Sequence, residues 1–166
     1  MNLMMADKIY FYLGRQKNIP LNMANETIFS IANGLALVSW IYLIIFPFRL
    51  STNKIILGVS VALLSAAYAL LVFQALQPGD LSKFGTLDGV TSLLSVPGAA
   101  LVGWIHYLAF DLMVGLYIAH NAAKHGIRHA LIIPCLMLTF MLGPVGLLLY
   151  LLIRLAVTKQ WFAENF

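Results

Sequence analysis

The residue best placed to do chemistry is Asp111, the one Asp or Glu lying well inside a long apolar stretch. It belongs to GWIHYLAFDLMVGLYIAHN, residues 103–121, which also carries His106 and Tyr107. An ionisable group in hydrocarbon costs on the order of 3 kcal/mol on insertion scales, so its retention marks function by default. On a helix Tyr107 and Asp111 fall one turn apart on the same face. His106 lies about 140° round the helix from Asp111 and about 7.5 Å along the axis. That spacing does not suit a direct hydrogen bond. Instead the two flank a sector centred on Gly103, Phe110 and Val114, where one ligand or water would be within reach of both. A carboxyl group and an imidazole in a dry site can divide the roles of general acid and base, with pKa values moved by their surroundings. Asp111 and His106 are therefore the candidate catalytic residues. The competing reading is a structural polar network that ties helices together, with Asp111 protonated.

A second set of polar groups would orient a substrate: Glu26, Asn33, Tyr107 and Thr139. Glu26, Ser30, Asn33, Leu37 and Trp40 recur at helical spacing and form one stripe. If the first and third apolar stretches run parallel, Glu26 and Asn33 approach the first half of the third. Glu26 equally suits a helix N-terminus, where the dipole favours a carboxylate. An amide such as Asn33 inside an apolar span needs a partner. Cys135 and Thr139 share a helix face one turn apart. Pro134 and the sequence Gly143-Pro144-Val145-Gly146 break the last apolar stretch. Gly143, Pro144 and Gly146 read as structural, either a packing kink or a bend lining a ligand.

His120, His125 and His129 crowd one polar turn, but Gly126 interrupts the helix between the last two and no carboxylates accompany them. They read as interfacial imidazoles that titrate with local pH, and no metal or other cofactor is expected. Four histidines are too few for a His-box di-iron enzyme. No phosphate-binding glycine loop, dinucleotide fingerprint, HExxH, CxxC or GxSxG motif occurs. The single cysteine, Cys135, rules out an internal disulfide.

The elements that must position these groups follow from composition. Of 166 residues, 61% are hydrophobic and 10% charged, with a mean hydropathy of +0.90. Soluble domains carry about 25% charge, so this exterior needs an apolar solvent. No Asp, Glu, Lys or Arg occurs between Glu26 and Arg49, between Lys54 and Asp80, or between Arg128 and Arg154. Each gap exceeds the roughly 20 residues that a helix needs to cross a bilayer. Continuous apolar runs exclude the alternation of a membrane β-barrel.

The expectation is an all-α polytopic membrane protein, with four transmembrane helices in a bundle at about 27–48, 54–76, 97–119 and 130–157. A short amphipathic segment, residues 1–25, would lie in the interface and stop at Pro20, and residues 159–166 would form a tail. No cleaved targeting segment is expected. Ser51–Asn53 would form a tight turn, residues 77–96 a loop whose Leu93, Leu94 and Val96 dip back to the interface, and residues 120–129 a polar turn. Four spans would put both termini and the loop 77–96 on one side. The two short turns, with Arg49, Lys54, Lys124 and Arg128, would face the cytoplasm. The net charge of +4 suits membrane lipid as a partner and not nucleic acid, because no Lys/Arg-rich run could track phosphates.

The segments ETIFSIANGLAL (26–37), GWIHYLAFDLMVG (103–115) and PCLMLTFMLGPVGLLLYLLIR (134–154) resemble the abscisic acid-deficient four-like, or neoxanthin synthase-like, family of integral membrane proteins. The resemblance covers roughly residues 26–155. It implies a four-helix membrane protein and, in plants, a plastid role in converting the epoxycarotenoid violaxanthin to neoxanthin. The matching positions are Glu26, Asn33, His106, Asp111, Gly115, Gly143, Pro144 and Gly146. One departure follows the third span: relatives read Ile-Ala-Arg-Asp where this chain has Ile118, Ala119, His120 and Asn121. With no plastid transit peptide evident, the resemblance points to a bacterial plasma (inner) membrane protein of other substrate.

Two functions follow. One is an isomerase-type enzyme acting by acid/base rearrangement on a membrane-dissolved carotenoid or isoprenoid ligand. The alternative is a non-catalytic scaffold or lipid- or pigment-binding partner, acting in an enzyme complex or as a homo-oligomer. Proton or solute movement ranks last, because a path would want more than one central acid.

Overall fold

The computed structural model describes residues 3–75, 77 and 79–159, with side chains described from Met23 onward. Among them every regular element is helical. Helix α1, Leu3–Ile45, continues through Pro20, where the sequence reading placed a stop. The side chains of the expected interfacial segment before Met23 lie outside the described residues.

The chain leaves α1 where Pro47 dictates. A residue before proline disfavours the helical conformation, and proline offers no N–H to continue the ladder. Thr52 Oγ1 donates to the Phe46 carbonyl at 2.6 Å, satisfying the end of α1 from the next helix. Ser51–Asn53 is therefore not the turn. Those residues open the second rod, α2 (Leu50–Ile55), a π-helical segment Ile56–Val61 and α3 (Ala62–Ala75). The π segment meets α1 through Ser60: Ser39 Oγ of α1 lies 2.7 Å from both Ser60 Oγ and the Leu35 carbonyl. A hydroxyl pair thus joins the first two rods at a widened turn.

The loop that follows is more structured than its Gly/Pro content suggests. A 3-10 turn at Asp80–Gly85 is pinned by Lys83 Nζ, 2.8 Å from Asp80 Oδ1, and by the Gln77 N–H, which donates to Asp80 Oδ2 at 2.8 Å. These partners, Lys83 first, hold the Asp80 carboxyl below its ordinary value. Thr86 then caps α4, Leu87–Leu94, by accepting from the Gly89 N–H. Leu93 is buried while Leu94 and Val96 are exposed, and Leu93 and Leu94, expected to dip to the interface, close this short helix.

Helix α5, Pro97–Lys124, starts with proline at its first turn, where the missing N–H costs nothing. It packs against α1, the π segment, α3, α4 and both later helices. It also runs past residue 119 because Asn121 is buried in the helix, and the break comes only at His125–Arg128. Along it α1 lies parallel, with Trp40 and Leu43 beside Gly115 and Asn33 beside Trp104.

The expected fourth crossing is not one helix. Leu142 ends α6 (His129–Leu142), and Pro144 starts α7 (Pro144–Thr158). The two lie antiparallel. Helix α6 leaves the end of α5 and reaches Tyr107, whose hydroxyl donates to the Met141 carbonyl. Helix α7 then returns, with Gly143 beside Asp111 and Tyr150 bonded to Asn121. Each half is only about 21–23 Å long at 1.5 Å per residue. Proline cannot extend α6, so the helix breaks, and Gly146 lets α7 fold back tightly. A Cβ at Gly146 would collide with the backbone and hydroxyl of Thr139. Three helices, Met23–Ile45, Leu50–Ala75 and Pro97–Lys124, are long and apolar enough to cross a membrane. The fourth apolar stretch is a helical hairpin instead, and the described architecture is three rods with this hairpin docked on α5.

Candidate functional site

Asp111 stands at the midpoint of α5 and is 7% exposed. Its side chain meets the hairpin tip. A Cβ built on Gly143 would fall 2.5 Å from Asp111 Oδ1 and 3.2 Å from its Cγ, so only glycine admits the carboxyl group there. Asp111 Oδ2 has no hydrogen-bond partner among the described residues. The amino end of α7 begins at the same place, and a helix N-terminus favours negative charge. One turn back on α5, Tyr107 shares the face expected of it and donates its hydroxyl to Met141 at 3.1 Å. That bond satisfies a carbonyl of the last turn of α6, which the chain reversal leaves without a helical donor.

His106 faces elsewhere. Its ring stacks on Phe110 with centroids 4.4 Å apart and lies 5.3 Å from the Tyr68 ring of α3. Both His106 and Tyr68 line a cavity of about 260 Å³ enclosed by α3, α4 and α5. Val72, Leu93, Leu94 and Val102 make most of its wall apolar. Asp111 is not among its lining residues. Asp111 meets the hairpin tip, while His106 stacks on Phe110 beside the cavity, so the two side chains expected to flank one sector are not brought to one cavity.

The first-helix stripe lands where parallel packing sends it. Asn33 Oδ1 accepts from Trp104 Nε1 at 2.9 Å, which supplies the partner that the amide required. Glu26, exposed, lines a separate hollow of about 300 Å³ with Phe29, Pro97 and Trp104. Thr139 lines none of these cavities. It is fully buried, donates to the Cys135 carbonyl at 2.8 Å and abuts Gly146. Gly143, Pro144 and Gly146 build the reversal of the hairpin.

The histidine turn separates its members. His125 Nδ1 donates to the Asn121 carbonyl and His129 Nε2 to that of Ile44, each at 2.8 Å. Among the described residues no three His, Cys, Asp or Glu side chains converge as a metal site.

One buried cluster was not legible as such. Asn121 Oδ1 accepts from the Tyr150 hydroxyl at 2.6 Å and from Arg154 Nη1 at 3.3 Å, and Arg154 also reaches the Tyr117 hydroxyl. Arg154 is 5% exposed, buried within the stretch expected as the fourth span. The available signal was the departure at position 121. There this chain places an amide against a buried guanidinium.

A helical protein with three rods of membrane-crossing length, a central buried carboxyl group and a hairpin folded onto it is the class that fold and site define. Its sequence is specific enough to go further. The chain belongs to the ABA4-like family, whose model, ABA DEFICIENT 4-like, matches residues 27–150. No curated protein and no solved structure matches it.

Proposed function

We propose that this chain is an integral membrane protein that takes the end group of a membrane-dissolved isoprenoid or carotenoid into the cavity between α3, α4 and α5. There His106 moves a proton on the ligand. The observation that carries this reading is the wall chemistry: two polar-tipped rings, His106 and Tyr68, in an otherwise apolar cavity of about 260 Å³. Few convergent polar groups in an apolar hollow are what a ligand of this class requires. In an isomerisation the imidazole removes a proton from carbon while the phenol gives one to the ligand oxygen, so protons balance and no oxidant is needed. Asp111 then serves the hairpin tip and not the reacting atoms. A bacterial plasma membrane is the location that the sequence reading favours.

The test is mass spectrometry of lipids and pigments from a strain lacking the gene, complemented with wild type, His106→Leu or Asp111→Asn. Wild type is expected to restore the composition and His106→Leu to fail, although the His106 side chain is exposed and the protein accumulates. Asp111→Asn restores it in proportion to the protein present. The reverse pattern moves the chemistry to the hairpin tip. Unchanged extracts in the strain without the gene remove the isoprenoid reading.

The separation of Asp111 from His106 favours a second reading, a non-catalytic binding partner. It predicts that His106→Leu weakens ligand retention while the ligand recovered from wild type is chemically unaltered.

A further inference from the structure

At the end of the molecule where α1 and α5 finish, a third cavity of about 350 Å³ opens between the first interhelical turn and the last turns of α5. Its polar lining is Arg49 and Asn53 from one side and His120 and Lys124 from the other. Pro47, Phe48, Leu50 and Ala123 supply an apolar wall. Arg49, His120 and Lys124 are exposed. Arg49 is held at the rim with its guanidinium 4.8 Å from the Phe46 ring centroid.

The charge around this cavity is one-sided. Among the described side chains the carboxylates are Glu26, Asp80 and Asp88, placed towards the opposite end, and Asp111 in the core. The one ion pair among the described residues, Lys83 with Asp80, also lies at that opposite end. Among the described side chains no carboxylate pairs with Arg49 or Lys124, while Lys54 and Arg128 add positive charge at the same end. A site with cationic and amide donors on its rim and an apolar wall beside them matches a phosphate that carries acyl chains. A soluble phosphate would gain nothing from Pro47, Phe48 and Leu50. Basic pockets between spanning helices are where anionic headgroups dock.

We propose that this cavity binds the phosphate headgroup of an anionic membrane lipid, with Arg49 and Lys124 as its principal ligands and Asn53 and His120 as further hydrogen-bond partners. The site shares no residue with the cavity around His106, so either proposal can fail alone.

The experiment uses the full chain in nanodiscs of phosphatidylcholine with a minor fraction of phosphatidylglycerol, released into detergent, with retained lipid read by native mass spectrometry. Wild type is expected to retain phosphatidylglycerol in preference to phosphatidylcholine. Arg49→Gln and Lys124→Gln should each lower that preference roughly fivefold, the weight of one cation near a charged surface. Arg49→Lys should keep it, as should Lys83→Gln at the opposite end. If Arg49→Gln fails to fold, Lys124→Gln, on an exposed last turn, carries the test. Equal retention of the two lipids by wild type, or a preference that survives loss of both cations, overturns the proposal. Calorimetric binding of inorganic phosphate without any lipid preference overturns it too, in favour of a soluble anion.

Discussion

The Asp111 carboxyl group rests on Gly143, so that the midpoint of α5 and the tip of the α6–α7 hairpin share one contact that admits no side chain. A Cβ at position 143 would force the Asp111 carboxyl group to shift for the helical hairpin to dock on the central helix. Gly143→Ala is expected to destabilise the protein by about 1–3 kcal/mol, the usual cost of forcing a methyl group into a packed site. Combined with Asp111→Ala, which removes the colliding carboxyl group, it should cost clearly less than alone. Unfolding in detergent followed by circular dichroism gives the cycle, and additive effects would show that the two residues do not interact.

The Asn121 amide is the acceptor shared by Tyr150 and Arg154. Asn121→Leu removes it from a buried cluster and should cost about 1–3 kcal/mol. Asn121→Asp keeps the acceptor and sets a negative charge beside the guanidinium. We expect this variant to unfold at a higher temperature than wild type. A lower one would mean that the cost of burying the carboxylate exceeds its attraction to Arg154.

Chain sidedness separates a hairpin from a fourth crossing. In a Cys135→Ala background, Lys124→Cys and Lys159→Cys should react with a membrane-impermeant maleimide from the same side. Lys83→Cys should react only from the other. A full fourth span would instead place Lys159 with Lys83. The side bearing Arg49, Lys54, Lys124, Arg128 and Lys159 should be cytoplasmic, since short flanking loops rich in Lys and Arg stay inside.

Tyr68 stands beside His106 and can donate a proton to a bound oxygen. Tyr68→Phe keeps the ring and removes the donor. Product formation in the complemented strain should fall about a hundredfold or more, the range that one general acid contributes, while the unfolding temperature stays near that of wild type. Full activity in Tyr68→Phe would leave His106 as the sole polar contact.

The loop before α4 should respond to acid in a defined direction. Lys83 and the Gln77 N–H hold the Asp80 carboxyl below its ordinary value. The order that this carboxylate brings is present above the unfolded value near about 4 and is lost as pH falls through the depressed folded one. Carboxyl NMR should show Asp80 titrating below that value in wild type and closer to it in Lys83→Gln. An unchanged midpoint would mean that the ion pair is not formed in solution.

Composition and the spacing of charges determined by themselves that the chain is helical and apolar enough for a membrane, because no local arrangement makes such a surface soluble. Helical periodicity also brought Glu26 and Asn33 to the first half of α5, since parallel neighbours keep their register. Polarity misled where a partner from another element answers it. Asn121 reads as a loop residue until Tyr150 and Arg154 arrive to bond it inside α5. The larger decision belonged to tertiary structure. Gly143 and Pro144 announce that a helix must break, because proline has no N–H to donate, but a break is compatible with a kink or with a reversal. Close approach of Gly146 to Thr139, and of Gly143 to Asp111, makes it a reversal. The same contact turns Asp111 towards the hairpin and leaves His106 to the cavity, because two residues on one helix face whatever packs against each side.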